Sequence, residues 1–162
     1  EFYSDPSLKV GIWRSTGDRA FCSGDDIKSP RPELSQAEMI NRHFGATADQ
    51  NVETYPGCER ETLRLVQTKP LIAAVNGVAY GAGMSLALCA DVIIAAEDAG
   101  FCPVFSKVGG CTDTGSSWLL QRRMGSGAAR ILARTGGEVS GKTAQQMRAG
   151  KEQWSAAASS TP

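Results

Sequence analysis

His43 is the only histidine in these 162 residues, and neither sign of charge is in excess: 17 basic residues balance 17 acidic ones. The missing imidazoles make an ordinary histidine-based metal or proton-transfer site hard to assemble, and His43 itself reads as a residue of a helix face. No run of like charges offers an electrostatic footprint for nucleic acid or an anionic membrane, so neither is expected as a partner. No apolar stretch approaches the roughly 20 residues of a membrane span, and the N-terminus carries no signal-peptide pattern. The five cysteines, Cys22, Cys58, Cys89, Cys102 and Cys111, are odd in number and contain no Cys-x-x-Cys pair. Reduced thiols in a soluble, cytoplasmic protein follow as the expectation, with no bound metal.

What the chain does have is hydrophobic content of 41%, enough for one domain with a core. Its organising stretch is Leu71 to Asp91, LIAAVNGVAYGAGMSLALCAD. A short run of small and β-branched residues breaks at Asn76 and Gly77, passes Gly81 and Gly83 around Ala82, and becomes helical: strand, glycine-rich turn, helix. Glycines let backbone approach a ligand, and a helix start leaves N–H groups without internal partners. A second glycine-bearing turn lies in Gly17 to Lys28, GDRAFCSGDDIK. Two turns aiming one N–H each at a single atom would form an oxyanion hole.

Leu8 to Arg14 reads as a strand ending in the Ser15 to Asp18 turn. Ser35 with Glu38 has capping-box spacing and would open a helix through Met39, Ile40 and Phe44, and a second helix is expected from about Cys58 to Gln67. Cys89 is expected to pack inside the helix that follows the central turn. Val92 to Ala96 is a continuous apolar run, as in a strand covered on both faces, so strand, helix and strand follow in the manner of a mostly parallel sheet. From Gly115 three short helices are expected: one with Trp118, Leu119 and Leu120, one with Ala128, Ile131 and Leu132, and one from Ser140 to Gly150. Arg122, Arg123 and Arg130 on these helices either meet phosphates or form a solvated face. Residues 1–150 read as one core and residues 151–162 as an irregular tail.

Three stretches, GDRAFCSGDDIK, TKPLIAAVNGVAYGAGMSLALCADVIIAAEDAGF and VGGCTDTGSSWLLQRRMGSGAARILARTGGEVSGKTAQQMRAG, taken together resemble the crotonase superfamily of enoyl-CoA hydratases and isomerases. The resemblance implies an α/β spiral of strand-strand-helix units, here truncated at both ends relative to the family. It also implies an acyl-CoA thioester as substrate, with coenzyme A arriving as part of it and no separate cofactor. Two peptide N–H groups in such proteins hold the thioester oxygen as it becomes an enolate, and by position these are the N–H of Asp25 and of Ala82. Cys22, Asp26, Ile27, Lys28, Gly81 and Gly83 fall on the substrate-binding positions. Asp26 either fixes its loop or touches substrate, and Lys28 either meets a CoA phosphate or stays solvated. A trimer-based homo-oligomer is a family property, but the C-terminal helices that build it are not among these residues.

The same resemblance exposes departures. Asp25 stands where a small uncharged residue is usual, and its carboxylate would oppose an enolate unless it points away. Ala82 replaces a frequent glycine, which is tolerable at negative φ. The two glutamates with which family hydratases activate water are replaced by Ser85 and Phe105, neither a base near neutral pH, so plain hydration is disfavoured. Asp113 remains. It lies where family isomerases and aspartate-nucleophile dehalogenases carry a functional carboxylate. Held in a mostly apolar pocket it would have a raised pKa suited to moving a proton; alternatively it caps the helix at Thr114. The leading expectation is isomerase-type proton transfer, with an aspartate-nucleophile hydrolase or dehalogenase, or a binding protein without turnover, as the rivals.

Overall fold

The computed structural model describes residues 2–28, 33, 35–37, 69–147 and, as backbone, 154–157. Within them the chain alternates between two sheets. The strand β1 (Gly11–Arg14) enters the first sheet and β2 (Ala20–Cys22) the second; β3 (Leu71–Val75) returns to the first and β4 (Val78–Tyr80) to the second. After the helix α1 (Ala82–Cys89), β5 (Val92–Ala96) and β6 (Gly100–Cys102) repeat the pattern. Strand-strand-helix is therefore the repeating unit of this α/β spiral.

The first sheet has the order β1-β3-β5-β8, all parallel, with β8 spanning Trp154–Ala157. The second has the order β2-β4-β6-β7, in which β7 (Val139–Ser140) alone is antiparallel. Parallel neighbours end at the same edge of a sheet, and the turns after β2, β4 and β6 all leave that edge of the second sheet. This topology positions the site.

Small side chains make the close packing possible. Ala73, Ala79, Ala87 and Ala90 are fully buried beside Ile93, Leu88 and Phe101. The helix α1 is buried nearly all round, including Met84, Ser85 and Cys89, and it packs on β2, β4 and the helix α2 (Ser116–Thr135). Its C-terminus is held from α2: the Arg123 guanidinium donates to the carbonyls of Leu88 and Ala90, groups that a helix end leaves without partners. Asp91 then ties two strand starts together. Its Oδ2 accepts from the Leu71 N–H and its own N–H donates to the Leu71 carbonyl, both at 2.8 Å.

Several expectations change here. The short segment Val78–Tyr80 is a strand of a second sheet, not part of a single turn. The run Val92–Ala96 alternates in burial: Ile93 and Ala95 are buried, whereas Val92 and Ile94 are exposed. The tail expected to be irregular contributes β8, whose backbone pairs with β5. The β1 strand begins at Gly11 rather than Leu8. The three helices after Gly115 are present: α2 is interrupted by non-helical Gly125, and α3 runs Gly141–Met147. Residues 36 and 37 are helical, whereas the remainder of the Ser35 helix with His43, and the helix expected near Cys58, lie outside the described residues. Among the described residues no helix is long and apolar enough to cross a membrane.

Candidate active site

Two turns meet at the C-terminal edge of β2 and β4. Gly83 and Cys22 are in such close contact that a Cβ on Gly83 would lie 2.1 Å from the Cys22 carbonyl oxygen. Gly24, at φ 91°, lies over the next stretch: a Cβ there would sit 2.8 Å from the Tyr80 carbonyl oxygen and 3.5 Å from the Ala82 nitrogen. Only glycine permits either approach. The residue that follows Gly24 is Asp25, next in the chain to that close approach.

The Gly81–Ala82 peptide has a defined direction. Gly81 occupies φ 53°, ψ −124°, a glycine conformation, and its N–H donates to the Cys102 carbonyl at 2.9 Å. Its carbonyl points into α1, accepting from the Ser85 N–H at 3.2 Å, with the Ser85 hydroxyl oxygen 3.3 Å away. A trans peptide directs its N–H opposite to its carbonyl, and the first N–H of a helix has no partner within that helix. The Ala82 N–H is thus turned away from the body of the helix, and its nitrogen lies close to Gly24. Ala82 keeps a negative φ, since Thr114 is the sole non-glycine residue at positive φ among the described residues.

The third turn, after β6, brings Phe105 to the same edge. Its Cε1 is 3.9 Å from where a Gly81 Cβ would be, with a Val104 methyl at 3.4 Å. On the other side Ser85 Oγ and Ser116 Oγ are 2.5 Å apart, and Ser116 Oγ donates to the Asp113 carbonyl at 2.5 Å. The Asp113 carboxylate accepts from the Thr114 hydroxyl at 2.5 Å. It is exposed.

The enoyl-CoA hydratase/isomerase model matches residues 1–149. The chain belongs to that family, within the crotonase superfamily. It is similar to the 1,2-epoxyphenylacetyl-CoA isomerase of Escherichia coli (strain K12), 36% identical over 149 residues, which are 88% of this chain and 51% of the relative. The carnitinyl-CoA dehydratase of Proteus mirabilis (strain HI4320) is 33% identical over 143 residues, 88% of this chain and 50% of that protein. Among solved structures, an enoyl-CoA hydratase from Bacillus anthracis superposes with a TM-score of 0.73 at 27% identity, covering 91% of this chain and 52% of the other. The chain thus spans about half the length of these relatives.

Against the family pattern, Ser85 and Phe105 border the Gly81 turn where the two hydratase glutamates were expected. Asp113 is exposed rather than enclosed by apolar groups, because it sits in a loop outside the packed face of α2. Nor does its carboxylate cap that helix: the N-cap is Gly115, at φ 75°, with no side-chain bond. Asp26 accepts from the Lys28 N–H at 2.9 Å and so shapes its loop, while Ile27 and Lys28 are exposed. Arg123 is engaged with α1 and Arg122 stacks 4.5 Å over Trp118. Three clefts in the described residues lie away from the two turns, one bounded by Trp118 and Arg122, one by Trp13 and Leu86, and one by Arg14 and Asn76. Among the described residues no group of three His, Cys, Asp or Glu side chains comes together.

Sequence reasoning did not find Ser116 or the strained Thr114. A residue's backbone φ and a contact 31 positions away leave no local pattern. The Tyr80 to Glu138 bond at 2.5 Å was equally hidden; Tyr80 lies just before Gly81, and the neighbouring carboxylate pushes its phenol up to about 12.

Proposed function

We propose that the chain binds an acyl-CoA thioester with its carbonyl oxygen between the N–H groups of Asp25 and Ala82, and that Asp113 moves a proton along the acyl chain in an isomerase-type reaction. The Asp113 carboxylate takes a proton from C2 of a 3-enoyl thioester. The electron pair passes into the carbonyl to give an enolate, and the same acid returns the proton at C4. Fixed donors stabilise that developing charge without reorganising, at about 3 to 4 kcal/mol for each. The observation that supports this reading most directly is the Gly81–Ala82 peptide, whose carbonyl is committed to Ser85 and whose nitrogen lies close to Gly24.

The apolar edge of Phe105 and the hydroxyl of Ser85 supply no base for water, which favours proton transfer between carbons over hydration. The remaining contacts fall to the first turn: Cys22 and Gly83 hold the two turns together, Asp26 and Ile27 shape the rim, and the Lys28 ammonium meets a CoA phosphate. The proposed step calls on no metal or redox cofactor. Both named relatives are described as acting on CoA thioesters.

Two substitutions test the reading. Asp113→Asn should slow double-bond migration in a 3-enoyl-CoA by at least about 100-fold; an unchanged rate removes Asp113 from the reaction, and an aspartyl adduct trapped by mass spectrometry would replace proton transfer with nucleophilic attack. Ala82→Pro deletes the proposed donor at the first helical position, where proline's φ is already suitable, so folding should survive while turnover falls roughly 10²- to 10³-fold.

A further inference from the structure

The buried polar side chains among the described residues are Ser85, Thr114 and Ser116, with relative exposures of 1%, 2% and 2%. All three belong to one network. Ser116 Oγ donates to the Asp113 carbonyl, so the Ser85 hydroxyl donates to Ser116; Ser85 reaches the Gly81 carbonyl through its own backbone N–H, and the Thr114 hydroxyl donates to the Asp113 carboxylate. One end is the peptide that carries the Ala82 N–H, and the other is the residue proposed to move the proton.

The two carbonyls do not need these hydroxyls to be satisfied. Gly81 O already accepts from the Ser85 N–H at 3.2 Å, and Asp113 O already accepts from the Ser116 N–H at 2.8 Å. Burying two further hydroxyls in a helix contact is unfavourable unless each finds a partner, and here each finds the other. Thr114 adds a second cost. A β-branched residue at φ 52° is a backbone outlier, held in place while its hydroxyl bonds the carboxylate beside it. Surplus polar groups and strain coincide in one short segment.

We infer that Ser85 and Ser116 form a strut that sets the distance and orientation of Asp113 relative to the Gly81–Ala82 peptide, making them positioning residues for proton transfer. The inference rests on the proposed enolate chemistry and goes beyond it, because neither serine has a part in the proton transfer itself. Ser85 extends from α1 and Ser116 from the first turn of α2, so the contact fixes one helix start against the other. Thr114 then fixes the carboxylate on the second of them.

The test measures kcat and KM for 3-enoyl-CoA migration in Ser85→Ala, Ser116→Ala and the double variant, alongside thermal unfolding. Each single variant should lower kcat roughly tenfold or more at nearly unchanged KM, and the double variant should lose little beyond the larger single effect, as parts of one unit do. The double variant leaves no hydroxyl unpaired and both carbonyls bonded to backbone, so it should unfold close to the parent temperature. An unchanged kcat in the double variant, or losses that multiply, would overturn the strut. Asp113→Asn and Ala82→Pro run beside them: if those two leave turnover intact, the enolate reading fails; if they abolish it while the serine variants are neutral, the strut alone fails.

Discussion

Gly83 rests against the carbonyl of Cys22, and no side chain fits between them: a Cβ would stand 2.1 Å from that oxygen and 2.7 Å from its carbon. Cys22 ends β2 and Gly83 lies in the first turn of α1, 61 positions on in the chain. Their contact brings β2 and α1 together at the second sheet's C-terminal edge.

Gly83→Ala should therefore be strongly destabilising. The clash is with backbone, which cannot swing aside, so a loss of about 2 kcal/mol or more is expected. Gly17→Ala provides the control, since nothing lies within 4 Å of its added methyl, and should stay within about 0.5 kcal/mol. Urea unfolding of the two variants checks this, and equal midpoints would refute the close contact.

The Tyr80 phenol gives a pH dependence with a definite sign. Its hydroxyl donates to the Glu138 carboxylate, and losing the proton would set two negative charges together, which together with burial pushes its pKa up to about 12 from an ordinary 10. A raised value means that the folded state holds the proton more tightly. The stabilisation is fully present below pH 10 and disappears as pH rises toward 12. Because both groups are reached by solvent, salt should weaken it. Absorbance titration of the parent minus Tyr80→Phe isolates this tyrosine, and Glu138→Gln should bring it back toward 10. A Tyr80 that ionises near 10 in the parent would contradict the bond.

Thiol reactivity should separate the cysteines by burial. The Cys89 thiol is pushed up to about 12 by burial, against a smaller opposing pull from Arg123, which keeps it in the unreactive thiol form near neutral pH. Cys102 is also raised by burial, and its Sγ donates to the Gly136 carbonyl at 3.2 Å. Cys111 is exposed. Labelling of the native protein with a disulfide reagent, followed by peptide mapping, should find Cys111 modified and Cys89 and Cys102 protected until denaturant is added. Rapid native labelling of Cys89 would show that α1 is not packed as described.

The letters of Leu71–Asp91 were sufficient to place a strand, a glycine turn and a helix, because glycine tolerance and apolar periodicity are local properties. They were also sufficient for the family and hence the spiral. The three-residue strand Val78–Tyr80 escaped, since so short a segment carries no period and is a strand only because β2 and β6 flank it. Asp113 illustrates the same limit. Its residue type and position suggested a carboxylate in apolar surroundings or a helix cap, yet its exposure, the left-handed Thr114 and the bond from Ser116 all depend on how α2 meets α1. Sequence alone determined which backbone segments can turn tightly and which faces seek burial; the side-by-side turns and the Ser85–Ser116 contact came only from tertiary packing. Chain order does not encode which distant groups share an edge, and those pairings arise when parallel strands align and bury their common face.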